Sequence, residues 1–341
     1  MRALVPLCVA IVLIPAPSMA SVIFVNRALT TGANDGSSWT NAFRGRPGVQ
    51  QALAVAGAGD EIWIAAGSYA PAPTGGSPAS AFVIPSGVAL LGGFAGHEAE
   101  AAQREPATNQ VILTGDLNSN DKPSDSSTKF DNAFHVVRVA NATSGTIIDG
   151  CTIEGGLAED RPMGVTPDVF AGGGVLIDGG APTLRRCIIR ENEASQFGGG
   201  IRIIGGATLI EDCSLTRNHA FGGAYIHTGG GATTTIRRCS FVEANANLNS
   251  VRGGAIGQGI SVTGPVDTGS SMLIEDCYFS IQLAPFLAAD GVGVKVYAGD
   301  AVIRRCRFIR CTHGGSGGGV SAGSFSIPPT SHVTIDRCDF I

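Results

Sequence analysis

The chain has 341 residues, enough to bury a large core without disulfide or metal staples. Its net charge is −5, 15% of its residues are charged and 44% are hydrophobic, so it is not a disordered chain and has no basic footprint for nucleic acid. The 49 glycines follow no three-residue period, which excludes collagen and indicates many tight turns between short strands.

The N-terminus is typical of a secretory signal peptide. Arg2 supplies the positive region, residues 3–14 form the apolar stretch, and residues 18–20 form a small-residue cleavage site. We therefore expect residues 1–20 to be removed and the mature chain to be secreted or held at the cell surface; a buried first strand is the alternative. The apolar stretch is too short to span a membrane, and no later stretch is long enough, so no transmembrane segment is expected in the mature chain.

Residues 21–145 are expected to form an N-terminal cap and the first coils of a solenoid. SVIFVN opens a strand, and apolar runs at 59–69, 81–94, 111–116 and 134–140 are typical of further strands. The amphipathic segment from Pro47 to Ala56 predicts a short helix, with Val49, Ala52, Leu53 and Ala56 on one face. We expect this capping helix to cover strand edges and core that the open end would otherwise expose.

The loop at residues 116–132 concentrates acidic and amide side chains. Its opening D-x-N-x-N resembles a calcium loop, although Asp121 stands where such a loop has Gly and Ser127 where it has Glu. A solvated loop is the alternative, and no other cofactor is expected. The candidate Ca²⁺ ligands are Asp116, Asn118, Asn120 and Asp121.

A repeat dominates residues 146–341. An apolar residue lies three positions before a cysteine and another two positions after it, with Gly-rich segments such as GGGVLIDGG and GGGIRIIGG between the motifs. Each unit holds two or three short strands and no helical pattern, so it cannot bury its apolar face alone and neighbouring units must stack. The repeated cysteines are Cys151, Cys187, Cys213, Cys239, Cys277, Cys306 and Cys338.

Stacking would place equivalent residues in register, about 4.8 Å apart. We expect the cysteines to form a structural ladder of small buried hydrophobic side chains; a metal site or a set of disulfides is the alternative. One cysteine per coil lacks the close pairing of zinc sites, and bridges between stacked strands would be strained. Asn192 and Asn218, each five residues after a ladder cysteine, predict a short internal stack of amides. Cys311 falls outside the column.

The two residues before each ladder cysteine alternate in charge from coil to coil. Arginine pairs and acidic pairs follow one another through five units, beginning with Arg185-Arg186 and Glu211-Asp212. Glu191, Arg217 and Glu243 alternate in the same way four residues after the cysteine. Because stacked opposite charges attract, we expect an outward ladder of ion pairs that opposes slippage by one coil.

Several segments of the mature chain stand out beside the GGG and Cys repeats, namely NDGSSWTNAF, LLGGFAG, DNAFHVV and TIIDGCTIEGG. Together with the repeats, they resemble bacterial exported right-handed β-helix repeat proteins of the pectate-lyase-like superfamily, including large cell-surface proteins often named probable pectate lyases. The resemblance spans nearly all of the mature chain. It implies an all-β fold, a right-handed parallel β-helix with a short N-terminal capping helix. Fold does not establish activity.

Two functions remain open. The first is a secreted or cell-surface protein, expected to be non-catalytic, whose surface serves adhesion or contact with polysaccharide or cell-surface glycans. The alternative is a calcium-dependent pectate-type lyase or a glycoside hydrolase, although the acids outside the 116–132 loop lie mostly in the alternating ladder, beside arginine pairs. Asp178, Arg202 and His227 are candidates for one shared face. A monomer is expected, and because the sequence ends inside a Cys motif, either a C-terminal segment is missing or the last coil is exposed.

Overall fold

The computed structural model describes residues 20–122, 126–159, 170–242, 260–262, 269–281, 293–311, 318–322 and 331–341. Residues 1–19, which hold most of the expected signal peptide, lie outside the described residues, as does Glu243 of the expected charge ladder. In the described parts, short strands stack in parallel into three long sheets. This is the expected all-β solenoid, a parallel β-helix.

The three sheets run the length of the solenoid. Sheet I contains the strands Val22–Val25, Glu61–Ala65, Ala89–Phe94, Ile147–Asp149, Thr183–Arg185, Ala207–Glu211, Thr233–Arg237, Ser271–Glu275, Gly299–Arg304 and Ser331–Asp336. Sheet II contains Gly67–Tyr69, Val111–Thr114, Cys151–Glu154, Ile188–Arg190, Ser214–Thr216, Ser240–Val242, Tyr278–Ser280, Arg307–Phe308 and Asp339–Phe340. Sheet III contains Phe82–Ile84, Val137–Ala142, Val175–Gly180, Ile201–Ile204, Ile226–Gly229, Ile260–Val262, Val294–Val296 and Val320–Ala322. A short extra pair joins Leu157–Ala158 to Glu193–Ala194.

One coil passes through sheets III, I and II in turn. The strands Val175–Gly180, Thr183–Arg185 and Ile188–Arg190 form such a coil, and Ile201–Ile204 begins the next. Their register follows the repeat, because Leu184 pairs with the equivalent apolar residue of each neighbouring coil, Ile148 and Ile210. Differences in unit length are therefore absorbed between strands and do not disturb the stacking.

The core is made of the apolar positions that the repeat marks. Leu184, Cys187 and Ile189 are all buried, from two strands that meet across a bend. Two residues after the cysteine, later coils carry Phe241, Phe279 and Phe308, whose rings stack with centroids 4.7 and 4.5 Å apart. The stack continues the same inward column with larger side chains, so the core stays filled along this part of the solenoid.

The bend between sheets I and II is built from residues with positive φ. Arg186, Asp212 and Arg238 adopt φ values of 50°, 54° and 52°, and Gly150 takes this place in an earlier coil with φ 71°. A left-handed conformation is unfavourable for residues with a Cβ. Each of these three side chains forms an ion pair with a neighbouring coil, which acts against that cost.

The alternating charges form ion pairs in the expected outward ladder. Arg238 donates to both carboxylate oxygens of Asp212, at 2.7 and 2.8 Å, and Arg305 binds Asp276 in the same bidentate way. In the pairs of Arg237 and Arg238 with Glu211 and Asp212, and of Arg304 and Arg305 with Glu275 and Asp276, the arginine belongs to the later coil and reaches back to the acid of the coil before. The Arg217–Glu191 pair, at 2.7 Å, repeats this arrangement at the second bend.

The ladder begins at Asp149, where three arginines share one buried carboxylate. Arg104, Arg185 and Arg186 each bind Asp149 Oδ2 at 2.6 Å, and the Asp149 side chain is fully buried. Burial alone would raise the pKa of Asp149, but hydrogen bonds from the arginines outweigh it and lower the pKa to about 2. Asp149 is therefore ionised at neutral pH.

The predicted capping helix is present. Helix α1 spans Gly48–Val55, with Pro47 as its N-cap, and buries Val49, Ala52 and Leu53 against the first strands of sheets I and III. This placement covers apolar side chains at the N-terminal end of the solenoid. The 3₁₀ helices are Trp39–Asn41, Ala101–Gln103 and Ser126–Asp131.

Candidate functional site

The outer face of sheet III carries an aligned column of basic residues. Inward residues such as Val175, Ile201 and Ile226 are buried in the core, so the residues that follow them point away from it. One register line of backbone pairings links the eight strands. Its members are Val83, Arg138, Leu176, Arg202, His227, Ser261, Lys295 and Ser321.

At the middle of this column, Arg202 and His227 lie side by side. Arg202 Nη1 donates to His227 Nδ1, and the Phe197 ring lies 4.3 Å from the His227 ring, centroid to centroid. Burial and the neighbouring guanidinium of Arg202 hold the pKa of His227 well below its usual value. His227 is therefore neutral at pH 7 and serves as the acceptor that orients Arg202.

Lys295 continues the column two strands further along. Its Nζ donates to Ser321 Oγ at 3.0 Å and lies 5.1 Å from the centroid of the Tyr297 ring, within range of a cation–π interaction. The side chain is buried, whereas Arg138 at the N-terminal part of the column is exposed. The column therefore combines two basic side chains held by neighbouring residues, Arg202 and Lys295, with one that is exposed to solvent, Arg138.

The balance of charge on this face is positive. Within the described strands of sheet III, the charged side chains are Arg138, Arg202, Lys295 and one carboxylate, Asp178. Asp178 pairs in register with Ile204, two residues along from the Leu176–Arg202 pair, so it shares this outward face with Arg202 and with His227. The suggested common face of these three residues is therefore present.

The sequence reasoning missed Arg138 and Lys295. A signal existed, because Arg202, His227, Lys295 and Ser321 each directly follow the first apolar residue of the strand after a Gly-rich segment. Gly199 shows why those segments hold glycine: a Cβ there would lie 2.1 Å from the carbonyl oxygen of His219. Aligning the Gly-rich segments coil by coil would have revealed most of the column.

The four candidate calcium ligands lie together in the acidic loop, in a network of hydrogen bonds. The carboxylate of Asp116 accepts the backbone N–H groups of Asn120 and Asp121 at 3.2 Å. The side-chain nitrogens of Asn118 and Asn120 both donate to Asp131 Oδ2. Among the described residues, no group of three or more His, Cys, Asp or Glu side chains is arranged to hold a metal ion. Asp125 of this loop lies outside the described residues.

Burial acts on the carboxylate of Asp121 in this loop. Burial and the neighbouring charges of Asp116 and Asp131 raise the pKa of Asp121 to about 6, against a hydrogen bond from Asn132 that lowers it. Arg46 donates to the backbone carbonyls of the loop and not to its carboxylates. The loop therefore keeps an excess of negative charge.

The seven ladder cysteines occupy one interior file at the bend between sheets I and II. The N–H of Cys187 donates to Cys213 Sγ, and that of Cys213 to Cys239 Sγ, both at 3.4 Å. All eight cysteines of the described residues are free thiols. Cys338 is half-buried in the last described coil, and Cys311, outside the file, is half-buried with its thiol 3.8 Å from Phe279 O.

The predicted amide stack is also in place. Asn192 and Asn218 are fully buried, and Asn192 Nδ2 donates to Asn218 Oδ1 at 3.0 Å. Beside them, Glu193 and His219 pair in register, and Lys129 binds Glu193 at 2.5 Å. Burial lowers the pKa of His219, although the charge of Glu193 opposes the shift.

Comparison with known proteins identifies a family to which the chain is similar. The model of a family described as "Right handed beta helix region" matches residues 139–341. A search of curated proteins finds no match. Among the described residues, no helix has the length and apolar character needed to cross a membrane.

Three solved structures are similar in overall fold. Polygalacturonase from Erwinia carotovora has 12% identity and a TM-score of 0.49, covering 96% of this chain and 95% of its own. Pectin methylesterase from Aspergillus niger has 12% identity and a TM-score of 0.47, covering 95% and 86%. Pectate lyase Pel9A has 14% identity and a TM-score of 0.44, covering 91% and 80%. Since the family model matches more than half of the chain, this protein belongs to the right-handed β-helix family.

Proposed function

We propose that this protein binds an acidic polysaccharide, outside the cell or at its surface, along the outer face of sheet III and without cleaving it. The observation that carries the proposal is the alignment of Arg138, Arg202 and Lys295 on one register line. At about 4.8 Å per coil, the first two lie about 10 Å apart and the last two about 14 Å apart. A polymer with regularly spaced carboxylates could contact the exposed Arg138 and the half-buried Arg202, while the buried Lys295 adds positive charge to the same line.

The outer faces of sheets I and II are less suited than that of sheet III to binding an anionic polymer. On the outer face of sheet I, arginines are paired with acids of the neighbouring coil, so their charges are largely compensated. On sheet II, the corresponding line runs through Ile188, Ser214, Ser240, Tyr278 and Arg307. Within the described residues, sheet III is thus the face whose strands carry three basic side chains and one carboxylate.

The surroundings of Arg202 suit a carbohydrate. The half-buried Phe197 ring, which contacts His227, lies 5.9 Å from the Arg202 guanidinium carbon, so an apolar surface borders the charge. Sugar rings present C–H faces to aromatic rings while their carboxylates pair with guanidinium groups. His227 fixes Arg202 in advance, which lowers the entropic cost of binding.

We propose binding without cleavage because the outer face of sheet III carries few carboxylates. A glycoside hydrolase of the usual kind places two carboxylates on either side of the bond it breaks. The described strands of sheet III carry Asp178 as their one carboxylate. The signal-peptide pattern of residues 1–20 supports export to where such polysaccharides occur.

Titration calorimetry of the mature chain with polygalacturonate, and with a neutral polysaccharide as the comparison, tests the proposal. We expect binding of the anionic polymer that weakens as salt rises, because the contacts are ionic. Arg138→Ala should weaken it by up to about five-fold, as for one exposed charge, and Arg202→Ala by more. Arg307→Ala, which removes an exposed arginine from sheet II, is the matched control.

Two results would contradict the proposal. If polygalacturonate does not bind, or if Arg307→Ala weakens binding as much as Arg138→Ala, the line of basic residues is not the binding face. A calcium-dependent growth of ultraviolet absorbance on polygalacturonate would reveal an unsaturated product, and would replace the non-catalytic part of the proposal by a lyase activity.

A further inference from the structure

Three buried oxygen atoms in the acidic loop accept no hydrogen bond from any described residue. They are Oδ1 of Asp121, Oδ1 of Asp131 and Oδ1 of Asn132. Asn132 is fully buried, and its Nδ2 donates to Asp121 Oδ2 at 2.9 Å and to Gly155 O at 2.8 Å, which fixes the orientation of the amide. A buried acceptor without a donor is destabilising, so three in one loop indicate a partner that the described residues do not supply.

Among the described residues, neither Asp121 nor Asp131 forms an ion pair, while Lys129 binds Glu193 and Arg46 binds backbone carbonyls. Buried carboxylates are normally paired with a cation or coordinate a metal ion. Within the described part of the chain, Asp121 and Asp131 therefore form no ion pair, although the charge of Lys129 acts to lower the pKa of Asp121.

The second oxygen of each carboxylate is already used. Asp131 Oδ2 accepts from the amides of Asn118 and Asn120, and Asp121 Oδ2 accepts from Asn132. These bonds orient the carboxylates and leave their Oδ1 atoms as the available ligands. Asn118 Oδ1 accepts the N–H of Gly75 at 2.7 Å, so this predicted ligand is engaged elsewhere.

We propose that Asp121, Asp131 and Asn132 hold one calcium ion, which joins the loop to the start of the following coil. The ligand set consists of oxygen atoms alone, two from carboxylates and one from an amide, as hard cations require. Calcium accepts irregular geometry, whereas magnesium demands an octahedron and retains its water, so calcium fits an irregular loop better. Of the four ligands expected from the sequence, this site keeps Asp121. It does not depend on polysaccharide binding by sheet III.

Calorimetry of the chelator-treated mature chain with CaCl₂, and separately with MgCl₂, tests the site. We expect one Ca²⁺ per chain, binding at least ten-fold tighter than Mg²⁺, and a higher melting temperature with Ca²⁺ than with chelator. Asp121→Asn and Asp131→Asn should each weaken Ca²⁺ binding ten-fold or more. Asp178→Asn, an exposed acid on sheet III, should leave it unchanged.

The outcomes separate clearly. Far-ultraviolet circular dichroism establishes that each variant is folded, and Asn132→Ala replaces any aspartate variant that is not. Absence of Ca²⁺ binding in the wild-type chain would overturn the proposal, and so would equal binding by all folded variants. A chain that binds Ca²⁺ here but no polysaccharide would leave this site intact and reject only the proposed function.

Discussion

Asp149 offers the sharpest test of what stabilises the solenoid. It is fully buried, and its carboxylate receives the guanidinium groups of Arg104, Arg185 and Arg186. Asp149→Asn would keep the shape of the side chain and remove its charge. It would also point an amide N–H₂ group, itself a donor, at the three guanidinium groups, which are donors too. The arginines, and above all the 7%-exposed side chain of Arg104, would then lack their counter-ion.

Removing one partner of a buried ion pair costs about 3–5 kcal/mol. The side chains of Arg185 and Arg186 are 36% and 49% exposed, so water can take over part of their solvation. We therefore expect Asp149→Asn to lower the free energy of unfolding by about 3 kcal/mol at neutral pH, near the lower end of that range.

The loss should depend on pH in a defined direction. The pKa of Asp149 is lowered to about 2 in the folded protein, from 3.8. Its stabilising contribution is therefore complete above pH 3.8 and is lost as the pH falls toward 2. At 1.36 kcal/mol per pKa unit, the difference between wild type and variant should shrink by about 2 kcal/mol across this interval.

Urea unfolding at several pH values, followed by circular dichroism and by the fluorescence of Trp39 and Trp63, would measure these free energies. Asp212→Asn is the matched control, because the Asp212 side chain is 41% exposed and should contribute less than about 1 kcal/mol. Equal stability of Asp149→Asn and wild type at neutral pH would refute the reasoning, as would a gap between them that does not change with pH.

Two further predictions concern the ladders. Replacing Glu211 and Asp212 together by arginine would put like charges on three adjacent coils. We expect this change to lower the free energy of unfolding by about 2 kcal/mol, which calorimetry would detect as a lower melting temperature. An unchanged melting temperature would show that the pairs do not stabilise the stack. Iodoacetamide should modify Cys311 and Cys338 before Cys213, whose pKa is raised by burial, as measured by mass spectrometry of peptides; early labelling of Cys213 in the folded chain would contradict its interior position.

The repeat itself determined the fold. The apolar residues three positions before and two positions after each cysteine indicate which side chains point inward. A unit of three short strands can bury these side chains only by stacking on its neighbours. The alternation of Arg185-Arg186 with Glu211-Asp212 likewise needed only the order of the coils. Such features are local and periodic, so one sequence is enough to recognise them.

Contacts between segments that no repeat in the sequence relates could be seen only in the tertiary structure. Arg104 comes from a loop 45 residues before Asp149, and no period in the sequence joins them. The positive φ of Arg186 was also invisible, because arginine has no preference for that conformation.

The candidate sites depend on the same kind of information. Arg138, Arg202 and Lys295 stand in units of different length, and only the strand register brings them onto one line. In the acidic loop, the side-chain amides of Asn118 and Asn120 donate to Asp131, which a sequence pattern of ligand spacing cannot reveal. Spacing fixes which residues are neighbours along a strand, but loop length, backbone bends and hydrogen-bond direction fix which atoms meet.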